Sequence, residues 1–549
     1  MKKIVIAGAL GNCVHVAGAI GFLGFAEEAG YETVFLGAAV SIEDFAVAIE
    51  RYDPEMVGVG YRLTPDVGLR LCKDLIRLVE QKDLSHRRFV FGGTPPVCAA
   101  VDELQFFERS FTGLENPEDV LAFLKGKLAD NSSGPKLFGN TLPDRIETKR
   151  PLPILRHHFG LPDMQSTLDG VRKIAESEVL DVISIGPDQN AQECFFRPCE
   201  MDASLSGAGG VPVRSSDDLK AIYQASRTGN NPLLRIYSGT SDLLKWADVA
   251  VQTISNAWGA VPLCWYSVLD GRSKRSVENA ITENQVCMRW YGERNIPLEV
   301  NEAHHWSLRD AHDSLSVAMA YLAAYNARSM GVERYVAQYM FNTPAGVRGA
   351  MDLAKILAQV EMVESLHSPK FTSYRQVRAG LQHLSPRLMQ AKGQLAASTM
   401  LSLAVEPHII HVVGFCEGDH VADADDVIES CEIVRGVLRN GLWGLPDTTK
   451  DPTVQERKSH LIAEAKHILR AITSLARGEE DPFISPRVLT ESIELGILDA
   501  PQLKGNPHAA GKLVTRVIRG AVEAVDAETK TVLTECRRLE LITGAPQHK

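Results

Sequence analysis

The sequence predicts an α/β protein of two domains, a doubly wound parallel sheet followed by an eight-stranded β/α barrel. Three observations point there. At 549 residues the chain is too long for a single hydrophobic core. Short apolar runs alternate with helix-length segments along most of it. In the second half those runs recurrently end in polar residues, as strands do at the functional face of a barrel.

In the first half, residues 3–9 read as a buried strand and 14–29 as a helix stopped by Gly30. Strand 32–36, helix 42–52, strand 56–60, helix 67–81 and strand 88–91 come next. This alternation implies a flavodoxin-like, Rossmann-like domain over residues 1–128. A polar stretch opening on Asn131-Ser-Ser-Gly-Pro reads as a linker over 129–160. Barrel strands are expected at 181–186, 210–213, 233–237, 261–266, 298–301, 335–341, 371–374 and 409–414, within a (β/α)8 TIM barrel over 161–480. Residues 481–549 read as an extension packing on that barrel, with the turn-rich segment 494–506 at its mouth.

Composition excludes several classes. With 58 basic and 69 acidic residues the net charge is −11, and no Lys/Arg run stands out, which argues against nucleic acid. The opening Met-Lys-Lys and apolar run are broken by Asn12 and His15, so they read as a strand rather than a secretory leader. No later segment reaches the ~18 apolar residues of a membrane span. Ten scattered cysteines without a CxxC pair suggest reduced thiols and a cytoplasmic protein.

The first turn, Gly8-Ala-Leu-Gly11, breaks the G-x-G spacing of a dinucleotide site, and Leu36-Gly37-Ala38 stands where its acidic residue belongs. The turn continues into Asn12-Cys13-Val14-His15-Val16-Ala17-Gly18, whose exposed imidazole suits a borderline metal such as cobalt.

On these residues the first domain resembles the cobalamin-binding domain of adenosylcobalamin-dependent mutases and cobalamin-dependent methyltransferases, whose signature is D-x-H-x-x-G, then S-x-L, then G-G. The first element reads Cys13 to Gly18 around His15, the second Tyr61-Arg62-Leu63, the third Gly92-Gly93. The resemblance implies that His15 coordinates cobalt, that the cofactor's nucleotide tail enters a cleft beside the first strand, and that Gly18, Leu63, Gly92 and Gly93 surround it. Cys13 replaces the family Asp that orients the imidazole, and Tyr61 replaces the Ser that bonds the tail base.

The second half resembles the barrel chain of glutamate mutase (methylaspartate mutase), best at residues 234–242, 296–302 and 494–506 and more weakly over 160–540. It implies adenosylcobalamin as cofactor and a radical isomerase acting on a small carboxylate- or amine-bearing molecule. The family's first claw arginine falls near Pro187-Asp188, where no Arg occurs, and its amine-binding Glu aligns with Ala257; both departures argue against glutamate itself.

Residues just past the expected strands form the candidate pocket: Asp188, Gln189, Asn190, Arg214, Thr240, Tyr266, Glu302, His304, His305, Asn342, Arg375, Arg378, Glu417, Asp419 and His420. Arg214, Arg235 and Arg375 are expected to hold anionic groups. Glu302 is expected to bind an amine or ribose, with His304, His305 and Tyr266 as hydrogen-bonding or proton-transfer groups, and Asp188, Asn190, Glu417 and His420 lining the substrate site. The set His304, His305, His411 and His420, with Glu417, also admits a zinc of the kind that activates thiols. The alternatives to a mutase are a corrinoid-dependent methyltransferase and a non-catalytic cobalamin-binding protein. A small-molecule substrate and a second copy of the chain, as a homodimer, are the expected partners.

Overall fold

A computed structural model describes residues 3–113, 115, 117–125, 138–237, 239–442, 444–478 and 481–544. The chain divides into two compact units, Met1–Lys136 and Leu137–Lys549.

The first unit holds five parallel strands, β1 (Ile4–Leu10), β2 (Glu32–Val40), β3 (Met56–Tyr61), β4 (Arg88–Gly93) and β5 (Arg109–Phe111), in the order β2-β1-β3-β4-β5. That order reverses direction between β1 and β3, the crevice where doubly wound sheets bind ligands. Strand alternation sorts the side chains into two layers. Ile6, Val57, Val59, Tyr61, Phe89 and Phe91 pack with Phe45, Cys72 and Leu75 on one face. Val5, Ala7, Met56 and Val90 face Leu23, Ala26 and Leu124 on the other.

The second unit is a nearly closed parallel barrel. Its strands are β6 (Ile154–Phe159), β7 (Val182–Ile185), β8 (Leu233–Ile236), β9 (Gly259–Val261), β10 (Leu298–Val300), β11 (Arg334–Phe341), β12 (Thr372–Ala379) and β13 (Ile409–His411). They run in the order β8-β7-β6-β13-β12-β11-β10-β9. Across the seam, the Ala257 N–H donates to the Leu234 carbonyl at 2.9 Å and the Ile236 N–H to Asn256 Oδ1 at 3.1 Å. A side-chain amide thus stands in for a missing ladder bond.

Two strand assignments differ from the sequence expectation. The first barrel strand is β6, inside the stretch read as linker, preceded by helix Leu142–Lys149 with Thr141 as its N-cap. Its inward residues Arg156 and His158 are polar, so it carries no apolar run to recognise. Residues 210–213 form no strand: Pro212 lacks an N–H, and only a bridge from Val211 to Pro187 forms. In addition, β9 ends at Val261, because Pro262 comes next and the N–H groups beyond it turn to Glu302. Strand β12 runs on to Ala379, five residues beyond the expected end at 374.

The barrel floor is apolar, built from Ile154, Val182, Leu233, Trp258, Val336 and Ile409. Helix Pro452–Thr473 packs against helices Asp313–Ser329 and Gly349–Glu364 outside it. The C-terminal segment adds a hairpin, β14 (Thr515–Ile518) and β15 (Ala521–Ala524), tied to loops at the strands' C-terminal ends. Thr515 Oγ1 donates to the Asp310 carbonyl at 2.8 Å, and the Arg348 N–H to the Gly520 carbonyl at 2.9 Å. Asn506 Nδ2 donates to the Leu269 carbonyl at 2.9 Å.

Replacing Asn256 with Ala would leave the buried Ile236 N–H without an acceptor. Asn256→Ala is expected to cost about 1–3 kcal/mol of barrel stability, read as a lowered thermal or urea midpoint; an unchanged midpoint would mean that the seam does not depend on this bond.

Candidate functional site

Toward the C-terminal ends of β1, β3 and β4, one sheet face carries Gly58, Gly60 and Gly92 where bulky residues would fill the layer. The result is a cleft of about 550 Å³ between the sheet and helix Ala17–Glu28, bordered by His15, Gly18, Phe22, Phe25, Arg62, Gly93, Thr94 and Phe111. A Cβ added to Gly18 or Gly92 would meet nothing within 4 Å, so the space beside them is open. Bare backbone on a broad apolar floor suits a flat ligand with a long tail.

His15 is exposed at the rim, and its Nδ1 lies 3.9 Å from Cys13 Sγ, a weak orienting partner. Cys13 itself is fully buried in the opposite layer. Tyr61 also points away from the cleft, its ring against Gly68, where a Cβ would come within 2.8 Å. Leu63 is exposed and does not border the cleft. Of the seven expected cofactor residues, His15, Gly18, Gly92 and Gly93 meet at one cleft; Cys13, Tyr61 and Leu63 do not, because strand alternation and the turn after β3 send them elsewhere. Arg62, which sequence reading passed over, faces the cleft in place of Tyr61.

The barrel interior is polar above its floor. Glu299 on β10 accepts from Arg235 Nη2 at 3.1 Å, Arg156 Nη1 at 3.4 Å and Trp258 Nε1 at 2.9 Å. Arg156 continues to Gln376 Oε1 at 2.8 Å, and Gln376 donates to Gln338 at 3.0 Å. Both arginines and Glu299 are at most 1 % exposed. Burial alone would raise the Glu299 carboxyl, but the guanidiniums of Arg235 and Arg156 outweigh it and hold it below the usual carboxylate range. Burial and the neighbouring Arg235 pull Arg156 down to about 9.

Above this layer, His158 Nε2 accepts from both Arg156 Nη2, at 3.0 Å, and Tyr237 Oη, at 2.5 Å, which leaves the ring proton on Nδ1. His158 lies edge-on to His411, with ring centroids 4.5 Å apart. His304 takes a hydrogen bond from Gln338 Nε2 at 3.1 Å and stacks near His305. Burial, reinforced by the surrounding guanidiniums, brings His304 down to about 3 and pushes His158 and His411 well below the ordinary imidazole range. His305 is lowered as far, by burial and the adjacent His304. All four rings are neutral at physiological pH. Several donors in this region find no acceptor: Arg235 Nε and Nη1, Arg156 Nε, Arg378 Nε and His158 Nδ1.

The other expected site residues have partners of their own. Arg214 is paired with Asp188 through two contacts of 2.9 and 2.5 Å, so neither is free for substrate; Asp188 also caps helix Gln189–Cys194. Asn190 clamps the Asp202 backbone with both amide atoms. Arg375 points outward from β12 and pairs with Glu364 at 2.7 Å, because Gln376 and Arg378 take the inward positions. Tyr266 sits at φ 59°, its ring buried near His305 and its phenol pushed up to about 12 by burial. Glu417 is exposed, and His420 pairs with Asp419 and Asp426 away from His304 and His305.

Glu302 is fully buried and saturated: it accepts from the Leu263 and Cys264 N–H groups at 2.8 and 3.1 Å and from Trp306 Nε1 at 2.8 Å. It braces the loop after β9 rather than offering a free carboxylate. The interior residues missed in sequence, Arg156, His158 and Glu299, lie on strands read as linker or as an apolar run; inward placement at alternate positions is the only signal they carry.

Burial lifts the Glu302 carboxyl to about 6 from an ordinary 4.5 despite its three donors. A folded-state value above the unfolded one gives stability that is present below pH 4.5 and lost as pH rises through 6. Between pH 4.5 and 7.5 wild type should therefore lose about 2 kcal/mol relative to Glu302→Gln, measured by urea unfolding across that range. Parallel pH profiles for the two proteins would refute it.

The family model described as the B12 binding domain matches residues 3–108. None of the curated proteins matches the chain. Similar solved structures include a cobalamin-binding protein from Desulfitobacterium hafniense, 20% identical with TM-score 0.20, the match covering 23% of this chain and 58% of that one. The cobalamin-dependent S-adenosylmethionine radical enzyme OxsB matches in its apo form at 11% identity and TM-score 0.17, over 90% of this chain and 71% of that one. With aqua-cobalamin and S-adenosylmethionine bound, OxsB matches at 10% identity and TM-score 0.18, over 89% and 70%. Scores of this size establish no common fold. Among the described residues, no helix is long and apolar enough to cross a membrane. The span of the family match includes the glycine-lined cleft that His15, Gly18, Gly92 and Gly93 border: the N-terminal unit of this chain carries a B12-binding domain.

Proposed function

We propose that this chain is an adenosylcobalamin-dependent enzyme that rearranges a small anionic substrate, a carboxylate or amino acid other than glutamate, inside its barrel. The observation that carries the reading is the charge balance of the barrel interior. Arg156 and Arg235 share the single carboxylate of Glu299, and the N–H groups left over on them, on Arg378 and at His158 Nδ1 are donors without an acceptor, beside the unpaired Ser184 Oγ and His411 Nδ1, which can serve either way. A buried group of donors without acceptors calls for a ligand that is all acceptor, which a carboxylate is.

The residues of the cleft fit the cofactor: His15 would hold cobalt, and the open backbone at Gly18 and Gly92 would take the tail. Adenosylcobalamin supplies a homolysable cobalt–carbon bond. The barrel residues do the rest. Arg235 and Arg378 bind and orient the anion, His158 donates from Nδ1, and the neutral ring of His304 offers a hydrogen-bonding group that brings no charge of its own. The apolar floor below Glu299 keeps water from reaching them from beneath.

Filling the cleft tests the first half of the proposal. Gly92→Leu should fold normally, since its side chain enters open space, yet bind cobalamin about tenfold or more weakly by spectroscopic titration. Anaerobic reconstitution with adenosylcobalamin and a panel of short mono- and dicarboxylates and amino acids tests the second half. A substrate-dependent paramagnetic cobalt signal is expected, abolished in Arg378→Met with cofactor affinity unchanged. If every acid is silent while methylcobalamin loses its methyl group to a thiol, methyl transfer replaces rearrangement.

A further inference from the structure

Outside the barrel wall, where the first strand meets the last helical unit, three metal-donor side chains gather, with a buried histidine beside them, that neither the cobalamin cleft nor the barrel interior uses. Cys416 lies just past β13, His420 lies four residues on, and Asp426 opens helix Ala424–Leu442; their donor atoms all lie within 4.8 Å of one another. His420 Nε2 stands 3.0 Å from Asp426 Oδ2, close to the edge of a tetrahedron built from metal–nitrogen and metal–oxygen bonds of about 2.0–2.1 Å.

A fourth donor, from β6, lies beside this group of three rather than within it. His157 alternates outward from the barrel, is 2 % exposed, and its Nε2 has no hydrogen-bond partner. A Cβ placed on Gly414 would lie 3.4 Å from that Nε2 and 3.4 Å from Cys416 Sγ, so the two flank one small space that glycine leaves open.

Both imidazoles are already held as metal-bound histidines are. His157 Nδ1 bonds the His158 carbonyl, which leaves Nε2 as a bare lone pair, and His420 Nδ1 bonds Asp419 at 2.7 Å. Glu417, Asp419 and Asp423 add negative charge nearby, while Lys173 is taken up by Asp425. We propose that Cys416, His420, Asp426 and His157 form a structural site for a zinc-class divalent transition metal, which clamps the last helix of the barrel to its first strand. A thiolate, two imidazoles and a carboxylate suit zinc better than calcium or magnesium. Binding displaces the thiol proton and the proton shared between His420 and Asp426.

The full chain, stripped with a chelator and titrated with zinc alone, tests this independently of any cobalamin chemistry. One equivalent is expected, with a raised melting temperature. X-ray absorption should show one sulfur near about 2.3 Å and nitrogen or oxygen at about 2.0–2.1 Å. Cys416→Ser should remove the sulfur and His157→Gln one imidazole. Because both are buried and could disturb folding, the exposed His420→Ala is the decisive variant and should weaken binding at least tenfold. Zinc bound without sulfur, or bound equally well by His420→Ala, would mean an adventitious ion only and would overturn the site, as would no binding at one equivalent.

Discussion

A carboxylate buried under two guanidiniums sets the character of the second unit. Glu299 holds Arg156 from β6 and Arg235 from β8 across the barrel axis, with Trp258 below. Replacing such a triad with well-packed apolar residues is often neutral or stabilising, so its presence is a poor argument for stability. The polar chain through Gln376 and Gln338 to His304 is its consequence, since buried donors and acceptors must find partners once the centre is charged.

Charges elsewhere obey the same rule in the opposite sense. Arg214 with Asp188 and Arg375 with Glu364 are complete pairs that shape loops and the outer wall. Glu302 spends its carboxylate on two backbone N–H groups and an indole. Inside the barrel, guanidinium N–H groups are left without acceptors, and the proposed anion site rests on that difference. In the first unit the selective feature is the reverse, a lack of side chains: glycines on one sheet face open a cleft that the other face fills with Tyr61, Phe91 and Phe45.

The fold class and the turn bearing His15 were legible in the sequence, because apolar periodicity and glycine placement are local properties of the chain. So was the meeting of His15, Gly18, Gly92 and Gly93, the first two in the turn and helix start that follow β1 and the last two at the end of β4. What tertiary structure alone decided was which polar residues face inward. Strand β6 reads as polar linker because its alternating residues fill a charged interior instead of an oily one, and β12 continues past its expected end for the same reason. A one-residue alternation separates Arg375 from Arg378 and Tyr61 from Arg62, and which side is the inside depends on neighbours distant in the chain, which no local pattern records.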